Sequence, residues 1–257
     1  MYKQYFKQAW NLMKQNRFYS AVYIIGTGLA ISMVMVMAIV YHIRTADIAP
    51  EVHRGKYLYI DQMKYEWGKS SSNFFWGIRS AKECLMPLKS AKEVALMTNT
   101  AITSMLHGDT YVQIPGGDDP QKVQVMGTNN SFWRLFSFSF IEGKPFSEEE
   151  FQSGFPRVVV SESLARRIFS TTTGVTGKSI LLDDTEYSVS GVVKDISAVT
   201  PSVYADMWMP YTSIPLIMGA SGERDVSVGL LTVCILPADG MGVDEVSHEL
   251  EEMIDRY

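Results

Sequence analysis

The chain has 257 residues, with 23 Lys+Arg against 28 Asp+Glu, 46% hydrophobic residues and a mean hydropathy of +0.01. That composition excludes an intrinsically disordered chain, a polytopic membrane protein and a uniformly basic nucleic-acid binder, and it supplies enough apolar residue for a buried core. The charge is unevenly spread: Lys3, Lys7, Lys14 and Arg17 are the only charges before Arg44, and the first acidic residue is Asp47. A short basic head precedes a long acidic body.

In the head, residues 1–17, Tyr2, Tyr5, Phe6, Ala9, Trp10 and Met13 recur at helical spacing, with Lys3, Lys7, Gln8 and Lys14 on the other side. The pattern predicts an amphipathic leader helix at the cytoplasmic interface, the alternative being a frayed basic leader. Phe18 to Tyr41 then gives 24 residues without a charged side chain. As a helix these would reach about 36 Å, enough to cross a bilayer core of about 30 Å. The expected transmembrane helix covers residues 18–42, with Tyr19, Tyr23 and Tyr41 near headgroup level. Four basic residues before it, against a mixed His42, Arg44, Asp47 and Glu51 flank after it, predict a cytoplasmic N-terminus and an extracytoplasmic domain over 43–257. A cleavable signal peptide also starts basic. Its apolar core is shorter and ends in an A-x-A site, which is missing here, so the uncleaved anchor is favoured. Gly26 with Ala30 and Gly28 with Ser32 give two small-xxx-small pairs, candidates for close packing against another membrane helix.

Beyond Lys56 the pattern turns mixed. Lys56–Met63 alternates as one strand, and Phe75–Lys92 reads as a helix ended by Pro87. Strands are expected over Glu93–Asn99, Ala101–Leu106, Thr110–Ile114 and Lys122–Gly127, with a Pro-Gly-Gly-Asp-Asp-Pro turn at 115–120. Asn130 or Ser131 would cap a short helix through Phe136, and Ser147 with Glu150 has the form of a capping box. Arg157–Val160 reads as a buried strand. Ser161 then caps a helix with Leu164, Ala165, Ile168 and Phe169 on one face and Arg166 and Arg167 pointing away. Lys178–Leu182 and Tyr187–Val193 flank Asp183-Asp184 as a hairpin. Val228–Leu236 is a last strand, and Val243, Val246, Leu250, Met253 and Ile254 stripe a last helix. The fold class is α+β.

Chemistry is sparse. The run Gly174–Ser179 approaches a phosphate loop, but Thr172 stands where its first glycine belongs, and a hairpin follows where a helix is needed. A structural turn is the better account. No nucleophile-elbow or zinc-protease motif is present, and His42, His53, His107 and His248 lie far apart. His248 and Glu252 form an ordinary i,i+4 pair. Cys84 and Cys234 suit two separate buried thiols better than a disulfide, which sequence alone leaves open. No catalytic residue, metal site or cofactor is predicted.

Five stretches taken in order, Phe132–Phe146, Val158–Phe169, Gly177–Ile180, Tyr187–Asp195 and Asp206–Pro210, resemble the extracytoplasmic core domain of MacB/FtsX-like ABC transporter permeases. Asn16, Arg17, Ser20 and the Gly-rich Ile25–Ile31 resemble the first membrane helix of that family. The resemblance implies a permease subunit in the cell inner membrane, paired with a second permease copy as a homo- or heterodimer and served by a separate cytoplasmic ABC ATPase subunit. Motion driven by ATP would be relayed to the outer domain for export or signalling, a mechanotransmission role, with a periplasmic or outer-membrane partner beyond it. It also implies two subdomains: a membrane-proximal one of about 43–110 with 211–257, and an inserted one of about 111–210. Family permeases carry three further membrane helices after this domain, so the chain is expected to be an N-terminal fragment. The competing expectation is a stand-alone membrane-anchored binding or adaptor module.

Overall fold

A computed structural model of the protein describes residues 2–198, 200, 202–218 and 228–257, and of Trp67, Leu106, His107 and Leu216 the backbone alone. Two compact units result, Met1–Ala46 and Asp47–Tyr257. The first is helical. Helix α1 covers Tyr2–Gln15 and α2 covers Arg17–Thr45, parted at Asn16, whose φ of −120° and ψ of 63° leave the helical region. Neither helix has a buried residue, and α2 is long and apolar enough to cross a membrane.

The second unit is a mixed sheet with helices on it. Its strands are β1 (Leu58–Ile60), β2 (Met63–Trp67), β3 (Ser70–Trp76), β4 (Ala91–Thr98), β5 (Thr110–Gln113), β6 (Gln121–Val123) and β7 (Val125–Thr128). They continue as β8 (Phe140–Gly143), β9 (Arg157–Ser161), β10 (Ser179–Leu182), β11 (Thr185–Val193), β12 (Met207–Pro210), β13 (Val228–Gly229) and β14 (Leu231–Pro237). The helices are α3 (Ile78–Ser80, running on as a π turn through Leu85), α4 (Thr100–His107), α5 (Asn130–Leu135), α6 (Glu148–Gln152), α7 (Glu162–Phe169), α8 (Pro215–Met218) and α9 (Val243–Arg256). The strand order is β13-β3-β14-β4-β7-β12-β9-β11-β10-β5-β6, with β1 on β14, β2 on β3 and β8 on β11. The β7–β12 and β9–β11 pairs are parallel and their neighbours antiparallel.

Alternation along the central strands fills a core on each face. In β14, Leu231, Val233 and Ile235 join Trp76, Leu85 and Leu250, while Cys234 points to the opposite side. In β12, Met207 and Met209 face Leu164 and Val189, whereas Trp208 faces Phe132 and Phe136. These strands are almost wholly apolar, Thr232 apart, because their central residues are covered on both faces.

Where β4 meets β7 the ladder is thin, with Met97 opposite Thr128 as the register pair. Side chains supply the rest. Thr98 Oγ1 accepts the Gly127 N–H at 2.9 Å. Asn129 Oδ1 accepts the Leu96 N–H at 3.1 Å, and Asn129 Nδ2 donates to Val94 O at 2.9 Å. The same Oδ1 caps α5 by accepting the Phe132 N–H.

Several expectations change. Ala101–Leu106 is not a strand but part of α4, because Asn99 Oδ1 accepts the Ile102 N–H and starts a helix. The expected Phe75–Lys92 helix shrinks to Ile78–Leu85. Phe75 and Trp76 end β3, and Ala91 and Lys92 open β4. Lys56–Met63 is split between β1 and β2, which pair with different strands. Lys122–Gly127 is broken at Gln124, whose N–H goes to Asp206 Oδ2 at 2.9 Å. Leu230 likewise separates β13 from β14, its carbonyl taking the Asn99 N–H. The cap of α5 is Asn129, one residue before those expected.

Two outcomes test this packing. Asn129→Ala leaves the buried Leu96 N–H and Val94 carbonyl without partners and uncaps α5, so denaturant unfolding should show a loss of about 2–4 kcal/mol. Glu249 on α9 accepts the Lys89 and Ser90 N–H groups at 3.0 and 2.8 Å. Hydrogen bonds from Ser90 and Lys89 hold its carboxyl below the usual glutamate range. A native value below the unfolded one contributes stability that is present above the ordinary range and lost as pH falls through the lowered value. Glu249→Gln should therefore lower stability near neutrality and converge with the parent in acid, as read from melting temperature against pH.

Candidate functional site

The residues proposed for packing in the membrane lie on α2, exposed along its length. At about 100° per residue, Gly26 with Ala30 and Gly28 with Ser32 fall on nearly opposite sides, two stripes in place of one face. A Cβ on Gly26 or Gly28 would meet nothing within 4 Å, and Ser32 Oγ donates to Gly28 O at 2.8 Å, so its hydroxyl is satisfied within the helix.

The second unit begins with a clasp. Asp47 Oδ1 accepts the Arg54 N–H at 2.9 Å. Glu51 is 2% exposed, pairs with the Arg54 guanidinium, and takes the Tyr59 hydroxyl at 3.0 Å on its other oxygen. Pro50 O accepts the Ser137 N–H at 2.8 Å, and the Tyr57 hydroxyl donates to Leu135 O at 3.0 Å. Strand β1 then pairs with β14, setting Tyr59 opposite Cys234. Burial, reinforced by nearby acidic groups, pushes the Tyr57 hydroxyl up to about 12. Burial likewise raises Tyr59 and Cys234. These shifts favour the protonated form of all three, so Glu51 and Arg54 pair among neutral donors.

Two cavities flank the β4–β7 joint, with Thr98 lining both. One of about 310 Å³ lies on the Met209 side among Thr103, Val125, Tyr187, Ile214 and Ile217. The other, of about 280 Å³, lies on the Met126 side among Tyr59, Asp61, Asn99 and Thr232. The first is mostly apolar, and the Tyr187 hydroxyl at its wall is already spent on Ser213 O at 3.2 Å.

The remaining chemical candidates resolve into structure. Gly177 has φ +86°, donates its N–H to Val189 O at 2.8 Å and leads into β10, while Lys178 Nζ rests 5.1 Å from the Phe169 ring centroid. A helix N-terminus that could hold a phosphate does not follow. Cys84 and Cys234 are free, buried and in different core clusters, and burial raises both thiols. His42 lies on α2, His53 is exposed, the His107 side chain falls outside the described residues, and His248 Nδ1 lies 3.5 Å from Glu252. Among the described residues no three His, Cys, Asp or Glu side chains gather to hold a metal.

Residues that the sequence presented only as motif letters acquire physical work. Asp195 accepts the Ser163 N–H at 2.8 Å and its hydroxyl, anchoring the first turn of α7. Asp206 holds Gln124 and also Arg167, at 3.1 Å, while its carbonyl takes the Ser161 N–H at 2.9 Å. Gly143 and Gly191 face one another across β8 and β11. A Cβ on Gly143, which has φ +72°, would lie 2.1 Å from Ser190 O, and one on Gly191 would lie 2.9 Å from the Phe140 ring. The carboxylate–amide pattern was visible only as an Asp after a strand; its partners, far along the chain, were not.

This arrangement has relatives. The family profile of the MacB-like periplasmic core domain matches residues 20–253. The macrolide export ATP-binding/permease protein MacB of Burkholderia cenocepacia is 27% identical over 135 residues, 52% of this chain and 19% of that protein, so the chain spans about a fifth of its length. Among solved structures, a domain assigned to a permease of Porphyromonas gingivalis superposes with a TM-score of 0.56 at 16% identity, covering 79% of this chain and 85% of the other. The extracellular domain of the noncanonic ABC-type transporter YknZ from Gram-positive bacteria gives 0.55 at 14% identity, over 78% and 93%. At such identities the structural likeness speaks for fold alone, and the α+β architecture agrees with it. The match over nearly the whole sequence, with one helix fit to cross a membrane, describes a membrane-anchored chain with an extracytoplasmic domain. The chain belongs to the family of MacB-like periplasmic core domains, components of ABC transporter permeases.

Proposed function

We propose that this chain is part of a permease subunit that relays ATP-driven motion from a separate cytoplasmic ATPase to a domain outside the inner membrane, for export or signalling. The observation that carries the reading is the clasp over Asp47–Ile60. The residues directly following the membrane-crossing helix are bonded into the body by Glu51, Tyr57, Tyr59 and the Pro50 carbonyl. A displacement at Ala46 would then be delivered to the sheet instead of being absorbed by a slack tether. In this reading nucleotide chemistry belongs to the partner ATPase, and the Gly177 turn, which enters a strand, takes no part in it. Lys3, Lys7, Lys14 and Arg17 ahead of the apolar run support a cytoplasmic N-terminus.

The subdomain division is part of the proposal. Strands β1–β4, β13 and β14 derive from about 43–110 and 211–257, β6–β12 from about 111–210 with β5 starting at that boundary and pairing with β10 and β6, and the two sets meet at β4 and β7. A second permease copy would pack against a small-residue stripe of α2, and a periplasmic or outer-membrane partner would receive the motion.

Impermeant thiol labelling of intact cells tests the orientation. Lys122→Cys, on an exposed side chain, should label from outside, the buried native cysteines remaining silent. Labelling only after lysis would refute it. For pairing, Gly26→Leu and Gly28→Leu each alter one stripe. One of them should reduce disulfide cross-linking between membrane helices of co-expressed copies several-fold, and an unchanged yield for both would remove these residues as the contact.

A further inference from the structure

Helix α1 carries a charge pattern that the folding of the chain does not use. It has no buried residue, with Tyr2 92%, Phe6 73% and Trp10 51% exposed. At about 100° per residue, Tyr2, Tyr5, Phe6, Trp10, Leu12 and Met13 share one face. Lys3, Lys7 and Lys14 all fall in a strip only about 40° wide on one margin of that face, next to Trp10. The opposite margin and the back hold Gln4, Gln8, Asn11 and Gln15, and the helix has no acidic residue. Lys14 Nζ lies 5.7 Å from the Trp10 ring centroid, so an ammonium group sits beside the apolar face, at the level where its rings end.

A solvated helix surface would scatter its lysines over the back. A one-sided row at the margin places three cations at headgroup depth when the apolar face is seated, with their stems lying along the interface. Location narrows the occupant further. Asn16 alone separates α1 from α2, and its non-helical dihedrals turn the chain there, so α1 lies within a few residues of the span. This step rests on reading α2 as a membrane crossing.

We propose that α1 is a docking surface for anionic lipid headgroups, gripped by Lys3, Lys7 and Lys14, and that it seats on an anionic leaflet and detaches from a zwitterionic one. Each lysine near an anionic surface raises docking about fivefold, so three give a preference on the order of a hundredfold. At 1 M salt the screening length falls to about 3 Å and the preference should vanish.

The chain is reconstituted in nanodiscs of phosphatidylcholine alone or with phosphatidylglycerol, carrying an environment-sensitive fluorophore at Met13→Cys or, as a control within α2, at Met33→Cys. Cys84 and Cys234 are buried and stay unlabelled. Position 33 should be shielded from an aqueous quencher in both lipids. Position 13 should be shielded only with phosphatidylglycerol, and should lose that shielding in 1 M salt and in the triple variant Lys3→Gln, Lys7→Gln, Lys14→Gln. Equal shielding at 13 in both lipids, exposure in both, or a lipid preference that survives the triple variant would overturn the proposal. A quenchable label at 33 would overturn instead the reading of α2 as a crossing.

Discussion

Val158, Val159 and Val160 point alternately to opposite faces of the sheet, and all three are fully buried. The same holds for Met207, Trp208 and Met209 in β12 and for Val233, Cys234 and Ile235 in β14. A strand with no solvent face needs covering on both sides, and the rest of the second unit is arranged to provide it. Helix α7 lays Leu164 and Ala165 on one side of β9 and β11, α5 brings Phe132 and Leu135 to the other, and α9 packs Val246 and Leu250 into the core beside β14. Burying such side chains is worth about 1.5–3 kcal/mol apiece, which makes this packing the main term against chain entropy.

Polar groups then decide register where packing alone would permit sliding. Asn129 serves three backbone groups at the β4–β7 joint, and Asp206 ties β7, α7 and β12 at one point. These bonds are local in space and remote in sequence. Those of Asn129 are also costly to leave half made, since they are buried and a buried donor or acceptor without its partner loses its full solvation. The cavities beside the joint show that apolar packing is incomplete there, which leaves the side-chain bonds a larger share of the cohesion.

Legibility in the sequence followed the range of the deciding interaction. The Ser147–Glu150 box, the Ser161 cap and the Asp183-Asp184 hairpin turn, with φ of 45° and 62°, are set by neighbours within three residues, and each could be read directly. The apolar length of α2 was readable for the same reason. Ala101–Leu106 has both helical and extended patterns, and only the Asn99 cap separates them. Ser70–Trp76 is polar for its first four residues and escapes the strand pattern; its place comes from pairing with β2, β13 and β14. At the candidate site, Glu51 looked like a flanking charge of the span. Its burial depends on Tyr59 and Arg54 folding over it, and the link from Tyr57 to Leu135 crosses 78 positions. The small-residue pairs were evident as letters, but helix geometry distributes them on two sides of α2.

In the proposed relay, the clasp would act through what it touches. Pro50 and Tyr57 are bonded to Ser137 and Leu135, which follow β7, whereas β1 is laddered to β14 on the other side of the β4–β7 joint. A single segment is thus held both at the end of α5 and by β14. The Glu51–Arg54 pair strengthens this arrangement because it is sheltered from water and screened little by salt. The β1 ladder and the Tyr57 hydrogen bond are short-range and directional, so they resist small displacements stiffly and fail together. Under the proposed relay, transfer of motion would need only this short segment, its few bonds divided between the end of α5 and β14.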